Sequence, residues 1–508
     1  MTSALPNTSR THLSGAAADG ELQWTVDQLV RELGSRPVEA MAYATAWAAR
    51  LAHPSGEPVF PAAFQWLRDH QHPDGSWGGT IARPHDRLVS TLAAVLALQD
   101  APHPWAPAAL HAGVAYVQRH RGGWRDAEGE TVGFELVAAQ LTAQAAARGL
   151  ITGAGFEELA ALRRDKLSRV PADVLARQPT TLLYSMEALE GILPAAATLA
   201  VHAGPNGSMA DNPPATAALW AVTADPAALA YLRSAAASTG GSGMPETYPI
   251  DVFEPAWTLY VLHRGGLTTP DTPRHVQRLA DLARTARQGI GQSSGFPVTD
   301  SDDTAMVANV LHAHGHDDAP LLSSLLAFET DTHFLGFPHE RGAAVSANAR
   351  VLEALARRPH RFRTQITKAL NFLLDQRREV GWWSDKWHLS PYYATAQVAF
   401  ALEHTAPHEM DGTRQWLLDS QHADGSWGTG AGLPEETAYA VLALAATETH
   451  HGPVPPPLYQ RAHTYLRQHL TAPEFAELWV GKGLYTPATV VRSTIAAACA
   501  IASRKAAS

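Results

Sequence analysis

The chain has 508 residues, 45% hydrophobic and 17% charged, a balance that fits a folded globular protein and excludes a disordered one. Its 39 basic and 49 acidic residues give a formal charge of −10, and with no basic block this argues against nucleic-acid binding. A single cysteine, Cys499, rules out an intrachain disulfide and a thiolate metal cage, and no apolar run is long enough to span a bilayer.

Residues 1–21 are small, polar and rich in Thr, Ser and Ala. They lack the basic-then-apolar order of a secretory leader and read as a loose tail on a cytoplasmic protein. From Leu22 onward, apolar residues recur at spacings of three and four, as in Leu22-Trp24-Val26-Leu29-Val30-Leu33 and Leu88-Leu92-Val95-Leu96-Leu98. That period predicts helices, and the 35 prolines and 38 glycines fall mostly between them. Many medium-length helices with short loops predict helix pairs or barrels of helices. The stretch Gln65–Gly78 (QWLRDHQHPDGSWG) recurs as Gln415–Gly428 (QWLLDSQHADGSWG), with weaker echoes ending at Gly123-Trp124 and Gly381-Trp382. Such a repeat predicts two related helical domains whose helix ends are finished by a Gln, an Asp-Gly turn and a Trp folded over the break. Between the copies, Asp126-Ala127-Glu128-Gly129-Glu130 is acidic, a pattern that is usually a solvated loop.

The most informative stretch is Gly295–Met306 (GFPVTDSDDTAM). Gly295 and Pro297 mark a loop and a helix is expected from Thr304, so Asp300, Asp302 and Asp303 sit at a helix N-terminus. One Asp there is an ordinary cap. Three in four residues cannot all ionise cheaply when buried, because close like charges raise a pKa and keep a proton on. A carboxyl kept neutral in an apolar cavity could protonate a base as weak as an alkene; an Asp-rich turn could also bind Mg²⁺ or Ca²⁺. Spacing alone leaves cap, acid and metal open. His312-Ala313-His314-Gly315-His316 has ligand-like spacing, but Gly315 ends a helix there.

Asp300-Ser301-Asp302-Asp303 resembles the DxDD motif of class II terpene cyclases, and the two repeated segments resemble that superfamily's QW motifs. The likeness covers about residues 40–490 and extends to plant-type copalyl diphosphate synthases. Met41–Trp47 is similar to their SxYDTAW segment, with Ala44 in place of Asp, and matches follow in order at Val132–Glu135, Pro179–Leu183, Tyr248–Glu254 and Trp479–Lys482. The resemblance implies an all-α fold of two α/α-barrel domains of the βγ type, with the substrate cavity between them. Residues 22–52 plus 275–508 would form the domain carrying the acid, and 53–274 the inserted one. Asp302 would be the proton donor, tuned and oriented by Asp300 and Asp303. The reaction would protonate the terminal alkene of a linear prenyl diphosphate, close rings through carbocations, lose a proton to a base and retain the diphosphate. No DDxxD of the class I type occurs.

The same resemblance assigns the remaining roles. Asp126, Glu128 and Glu130 match an element associated with Mg²⁺ and diphosphate, although Arg125 stands at its first acidic position. Lys166, Arg169, Lys386 and Lys482 match basic positions that would hold phosphate oxygens. Where the plant enzymes place a deprotonating pair of His and Asn, this chain has Tyr184 and Glu246, and a carboxylate there could act as base or hold a water. On the helix whose His or Asn supports the acid, the aligned residue is Arg350; a cation would favour the ionised form of Asp302, so Asn348 is the expected partner. Trp257, Trp382, Trp383, Trp387, Tyr392 and Tyr393 are candidate π faces for the cations, with core packing as the alternative. The expected substrate is farnesyl diphosphate, giving a drimenyl-type product. Geranylgeranyl diphosphate, a squalene–hopene-type cyclase and a non-catalytic α-barrel interaction module are the alternatives. No nucleic-acid partner and no stable membrane insertion are expected, and oligomeric state is left open.

Overall fold

The computed structural model describes residues 15–34, 38–169, 174, 177–189, 199–338, 340 and 342–507. Its helices are of two kinds. Some are enclosed on every side: Pro84–Leu98 buries each residue from His85 to Leu98. Others are amphipathic: Pro61–Asp69 buries only Ala63, Phe64 and Leu67. A helix that is apolar all round must be surrounded by others, so the first kind forms inner rings and the second packs outside them.

In the first unit, Ala42–Ala49, Pro84–Leu98, Phe134–Ala147, the short segment Thr181–Ala188 and Pro213–Thr223 each pack on the next, and the last returns to the first. Pro61–Asp69, Ala106–Arg119, Glu157–Ser168 and Pro226–Ser238 back them. In the second unit, the inner ring among the described residues is Phe253–Arg264, Ser301–Ala313, Val345–Ala356, Pro391–Thr405, Pro434–His451 and Ala488–Ala506, closed in the same way. These are the two expected α/α barrels.

Their boundaries differ from the expected ones at 52/53 and 274/275. Helix Ala42–Ala49 lies in the first unit's core, which runs from Met41 to Met244, and Val252–Leu262 lies in the second. Ala42–Ala49 has no polar face and is buried throughout, so only an inner-ring position suits it. Residues 1–14 lie outside the described residues. From Gly15 the chain is helix rather than tail, because Leu22, Val26 and Val30 give Gly15–Arg31 an apolar stripe against Ala488–Ala506.

The repeated segments join outer helices to inner ones. Gln71 donates to the carbonyls of Gly75 and Ala109, and Trp77 Nε1 donates to Leu67 O at 2.7 Å. Gln421 bonds Gly425 and Leu458, and Trp427 Nε1 bonds Leu417 O, in the same manner. Each Gln thus ties its turn to the first turn of the following outer helix, while the Trp closes the end of its own. Gly75 is required here: its φ is +92°, and a Cβ would lie 2.5 Å from Ala112 O. A small hairpin, Trp479–Val480 paired antiparallel with Leu484–Tyr485, reaches across to the first unit, where Val132 N donates to Gly481 O at 2.8 Å. Among the described residues, no helix is long and apolar enough to cross a membrane.

Candidate active site

A cavity of about 980 Å³ lies between the two units and takes its walls from both. At one end is the N-terminus of helix Ser301–Ala313. Asp300 caps it, its Oδ1 accepting from the Asp303 backbone N–H at 2.7 Å. The capping reading of Asp300 therefore holds, and it leaves Asp302 and Asp303 free of that role. Asp300 and Asp303 are buried, and each keeps one side-chain oxygen without a hydrogen-bond partner, Oδ2 of Asp300 and Oδ1 of Asp303. Burial, then the mutual repulsion of the pair, holds Asp300 well above the usual carboxylate range. Burial and the neighbouring Asp302 push Asp303 up to about 7. The side-chain hydrogen bond between the two carboxyls agrees with a proton shared by this pair.

Asp302 lines the cavity and is the most open of the three, with 18% of its side chain exposed. Burial raises its pKa, and Arg350 opposes that shift without reversing it. The partner of the acid is therefore Arg350, not Asn348. Asn348 is fully buried and spends its amide on Phe334 N, Phe334 O and Ala344 O, holding the 334–344 connection rather than the acid. The Arg350 guanidinium hydrogen-bonds Asp302 Oδ1, donates to the Tyr393 hydroxyl at 2.5 Å and lies 4.7 Å over the Trp257 ring. A cation next to the acid favours the carboxylate left after proton transfer, while burial favours the neutral acid before it. The pair is thus poised for a proton leaving, with Arg350 more useful in the transition state than in the ground state.

Tyr184 and Glu246 come together in the cavity wall, the Tyr184 hydroxyl donating to Glu246 Oε1 at 2.6 Å. The same oxygen accepts Lys482 N at 2.9 Å. Among the described residues, Glu246 Oε2 takes no hydrogen bond, and the buried Glu246 side chain lines the cavity. Burial raises the Glu246 pKa, and burial together with Glu246 holds the Tyr184 hydroxyl well above its ordinary value. A desolvated carboxylate with one free oxygen can accept a proton directly or through a held water.

The basic residues divide. Lys166 and Arg169 line the cavity at the first unit, paired with Glu135 at 3.0 Å and Asp165 at 2.5 Å. Val170 and Pro171, which follow them in the sequence, lie outside the described residues. Lys386 lines the cavity but is bonded to Glu340 and Gly342 O. Glu340 also acts on Asp302, so Lys386 sits toward the acid. Lys482 cannot hold phosphate: it is completely buried, does not line the cavity and donates to Glu187 at 2.5 Å and Asn212 at 2.6 Å. The sequence match could not show that its ammonium turns inward.

Of the acidic segment, Asp126 and Glu128 are exposed and outside the cavity; Glu130 lines it. Among the described residues, no group of three or more His, Cys, Asp or Glu converges as for a metal. The three-carboxylate Mg²⁺ site therefore does not fit, and Glu130 alone remains suited to a cation shared with a ligand's phosphates, a common Mg²⁺ arrangement. Among the aromatics, Trp257, Trp387 and Tyr393 line the cavity. Trp383 does not; it is a helix-end Trp, donating to Leu373 O at 2.6 Å. Trp382 and Tyr392 also lie outside the cavity and stack on Trp416. Sequence cannot distinguish these from cavity residues: Trp382 and Trp383 stand in the connection between helices Arg363–Asp375 and Pro391–Thr405, and Tyr392 in the first turn of the latter. The structure adds Trp479 and Tyr485 from the hairpin. Burial first, then Glu246 and other neighbours, holds the Tyr485 hydroxyl above its ordinary range.

Residues 341–469 match the family model "Squalene-hopene cyclase C-terminal domain". The chain is similar to a type B diterpene cyclase of Mycobacterium tuberculosis, 32% identical over 487 residues that cover 91% of this chain and 95% of that one. The fold is similar to that of the ent-copalyl diphosphate synthase of Streptomyces platensis, with TM-score 0.78, 31% identity, 95% of this chain and 100% of that one. It is also similar to Arabidopsis thaliana ent-copalyl diphosphate synthase in complex with (S)-15-aza-14,15-dihydrogeranylgeranyl thiolodiphosphate, with TM-score 0.71, 25% identity, 94% of this chain and 63% of that one.

Proposed function

The chain belongs to the class II terpene cyclases, enzymes that cyclise prenyl substrates, and we propose that it protonates and bicyclises a linear C20 prenyl diphosphate, keeping the diphosphate. One observation carries this reading: Asp302 stands at the end of an aromatic-walled cavity, raised in pKa by burial yet backed by a cation that accommodates its conjugate base. The farnesyl expectation finds no support in these relatives, which are named for diterpene and copalyl chemistry. Geranylgeranyl diphosphate is therefore the favoured substrate. The squalene–hopene match covers only 341–469, within the barrel shared by both reactions, and does not carry a substrate.

In this reading Asp302 transfers its proton to the terminal alkene. The cation so formed is attacked by the next double bonds, closing two rings. Trp257, Trp387 and Tyr393 offer π faces that stabilise positive charge without bonding to it. Glu246, with Tyr184, removes a proton from the bicyclic cation, directly or through a water, and the Asp300–Asp303 pair helps return one to Asp302. The atoms balance as an isomerisation. Lys166 and Arg169 receive the diphosphate once their ion pairs open. A Mg²⁺ ion there would neutralise diphosphate charge, with Glu130 as its ligand from this chain.

The test is incubation with geranylgeranyl or farnesyl diphosphate and Mg²⁺, followed by phosphatase, mass analysis and assay of free pyrophosphate. A bicyclic C20 alcohol without pyrophosphate release is expected, and Asp302→Ala should be inert. Pyrophosphate release, or turnover by Asp302→Ala, overturns the mechanism. Consumption of the C15 substrate alone replaces the C20 reading.

A further inference from the structure

Behind the acid end of the cavity lies a buried carboxylate that the mechanism above does not use. Glu435 stands in the first turn of helix Pro434–His451 and is 2% exposed. Its Oε1 accepts two bonds, from Trp479 Nε1 at 2.9 Å and from His388 Nε2 at 3.2 Å; Oε2 has none. The His388 tautomer follows from its other nitrogen. Nδ1 accepts the Ser390 backbone N–H at 3.0 Å, so the ring proton is on Nε2 and the imidazole is neutral. Among the described residues, Glu435 therefore has no cationic partner: its one ion-pair contact carries no charge.

An ionised carboxyl in such a place is costly unless something compensates it. The helix N-terminus and two N–H donors help. What remains uncompensated points at the cavity through aromatic rings. Trp479, which Glu435 holds by its indole N–H, lines the cavity and packs edge-on to Tyr393 with centroids 5.1 Å apart. His388 stacks on the other side of that contact, 4.3 Å from Tyr393 with planes 13° apart. Tyr393 in turn bonds Arg350, the partner of Asp302. When Asp302 is neutral and ready to react, Arg350 is left as a net positive charge in the wall where a carbocation must form. The Glu435 charge, two rings away through Tyr393 and Trp479, offsets it.

We propose that Glu435 is a positioning residue of the cyclisation: its carboxylate fixes Trp479 edge and face and enriches the indole in electron density, so that the ring stabilises the carbocation rather than merely filling space. The inference rests on the cyclase reading above. It explains why a buried carboxylate is kept without a direct cationic partner: the positive charges it offsets, Arg350 once Asp302 is neutral and then the carbocation, lie across the aromatic rings.

The test compares the full-length wild type with Glu435→Gln, Trp479→Phe and the double variant on the C20 substrate. Glu435→Gln keeps an acceptor for the indole and the packing volume but removes the charge. A fall in kcat of about tenfold with KM nearly unchanged is expected, with a larger share of incompletely cyclised or hydroxylated products. In the Trp479→Phe background, Glu435→Gln should add less than about twofold, because its route of action is gone. Circular dichroism and Tm identify any variant that fails to fold, and Trp479→Phe then provides the second reading through its product mixture. A Glu435→Gln enzyme with wild-type kcat and products, or full additivity of the two substitutions, overturns this inference and leaves the cyclase reading standing. A wild type that does not cyclise the substrate overturns the reading itself.

Discussion

Arg350→Met removes the charge beside the acid while keeping much of the volume. Arg350 is 1% exposed and reaches Asp302, Tyr393 and the Trp257 face, so no solvent replaces it. A charge-assisted hydrogen bond contributes about 1.5–3 kcal/mol, and the transition state develops most of the charge that Arg350 stabilises. About 2 kcal/mol lost from the transition state is roughly a 30-fold fall in kcat. The pH dependence gives the sharper test. Asp302 must be protonated to act, so activity is lost as pH rises through its pKa. Burial already raises that pKa, and Arg350 holds it down. Removing Arg350 should therefore move the alkaline limb of kcat/KM upward, by about one to two pH units for the same 2 kcal/mol. The assay is initial rates from pH 5 to 10, with product analysis by mass spectrometry. An alkaline limb that stays put or moves down refutes the acid-tuning role, even if the rate falls.

Two further outcomes follow from the buried charges. Lys482→Met leaves Glu187 buried without its cation, at a cost of about 3–5 kcal/mol; the double variant with Glu187→Gln should recover much of it, as read by chemical denaturation. Burial and Asp302 push the Asp303 carboxyl up to about 7 from an ordinary 3.8. A raised carboxyl pKa gives stability that is present below the unfolded value and lost as pH rises through the folded one. The wild type should therefore lose stability relative to Asp303→Asn between about pH 4 and pH 7, by a ceiling of about 4 kcal/mol, with Asp303→Asn the more stable protein at pH 8. Equal pH dependence of the two proteins would contradict that assignment.

What the sequence determined by itself was local or repetitive. The apolar period fixed the helical class, because a helix buries one stripe whatever it packs against. The repeat announced two like units, since Gln71 and Gln421 finish their helix ends by contacts within a few residues and to the next helix. The three Asp were legible as an unusual charge density at a helix start. The tertiary structure decided which way side chains face when a helix is buried on all sides. It made Arg350 the partner of Asp302, turned Lys482 into the core, drew Tyr184 and Glu246 together across 62 residues and left Asp126 and Glu128 outside the cavity. It also moved helix Ala42–Ala49 into the inserted barrel. These are matters of ring closure and long-range approach, and one-dimensional spacing carries no information about the direction in which a fully enclosed helix presents each residue.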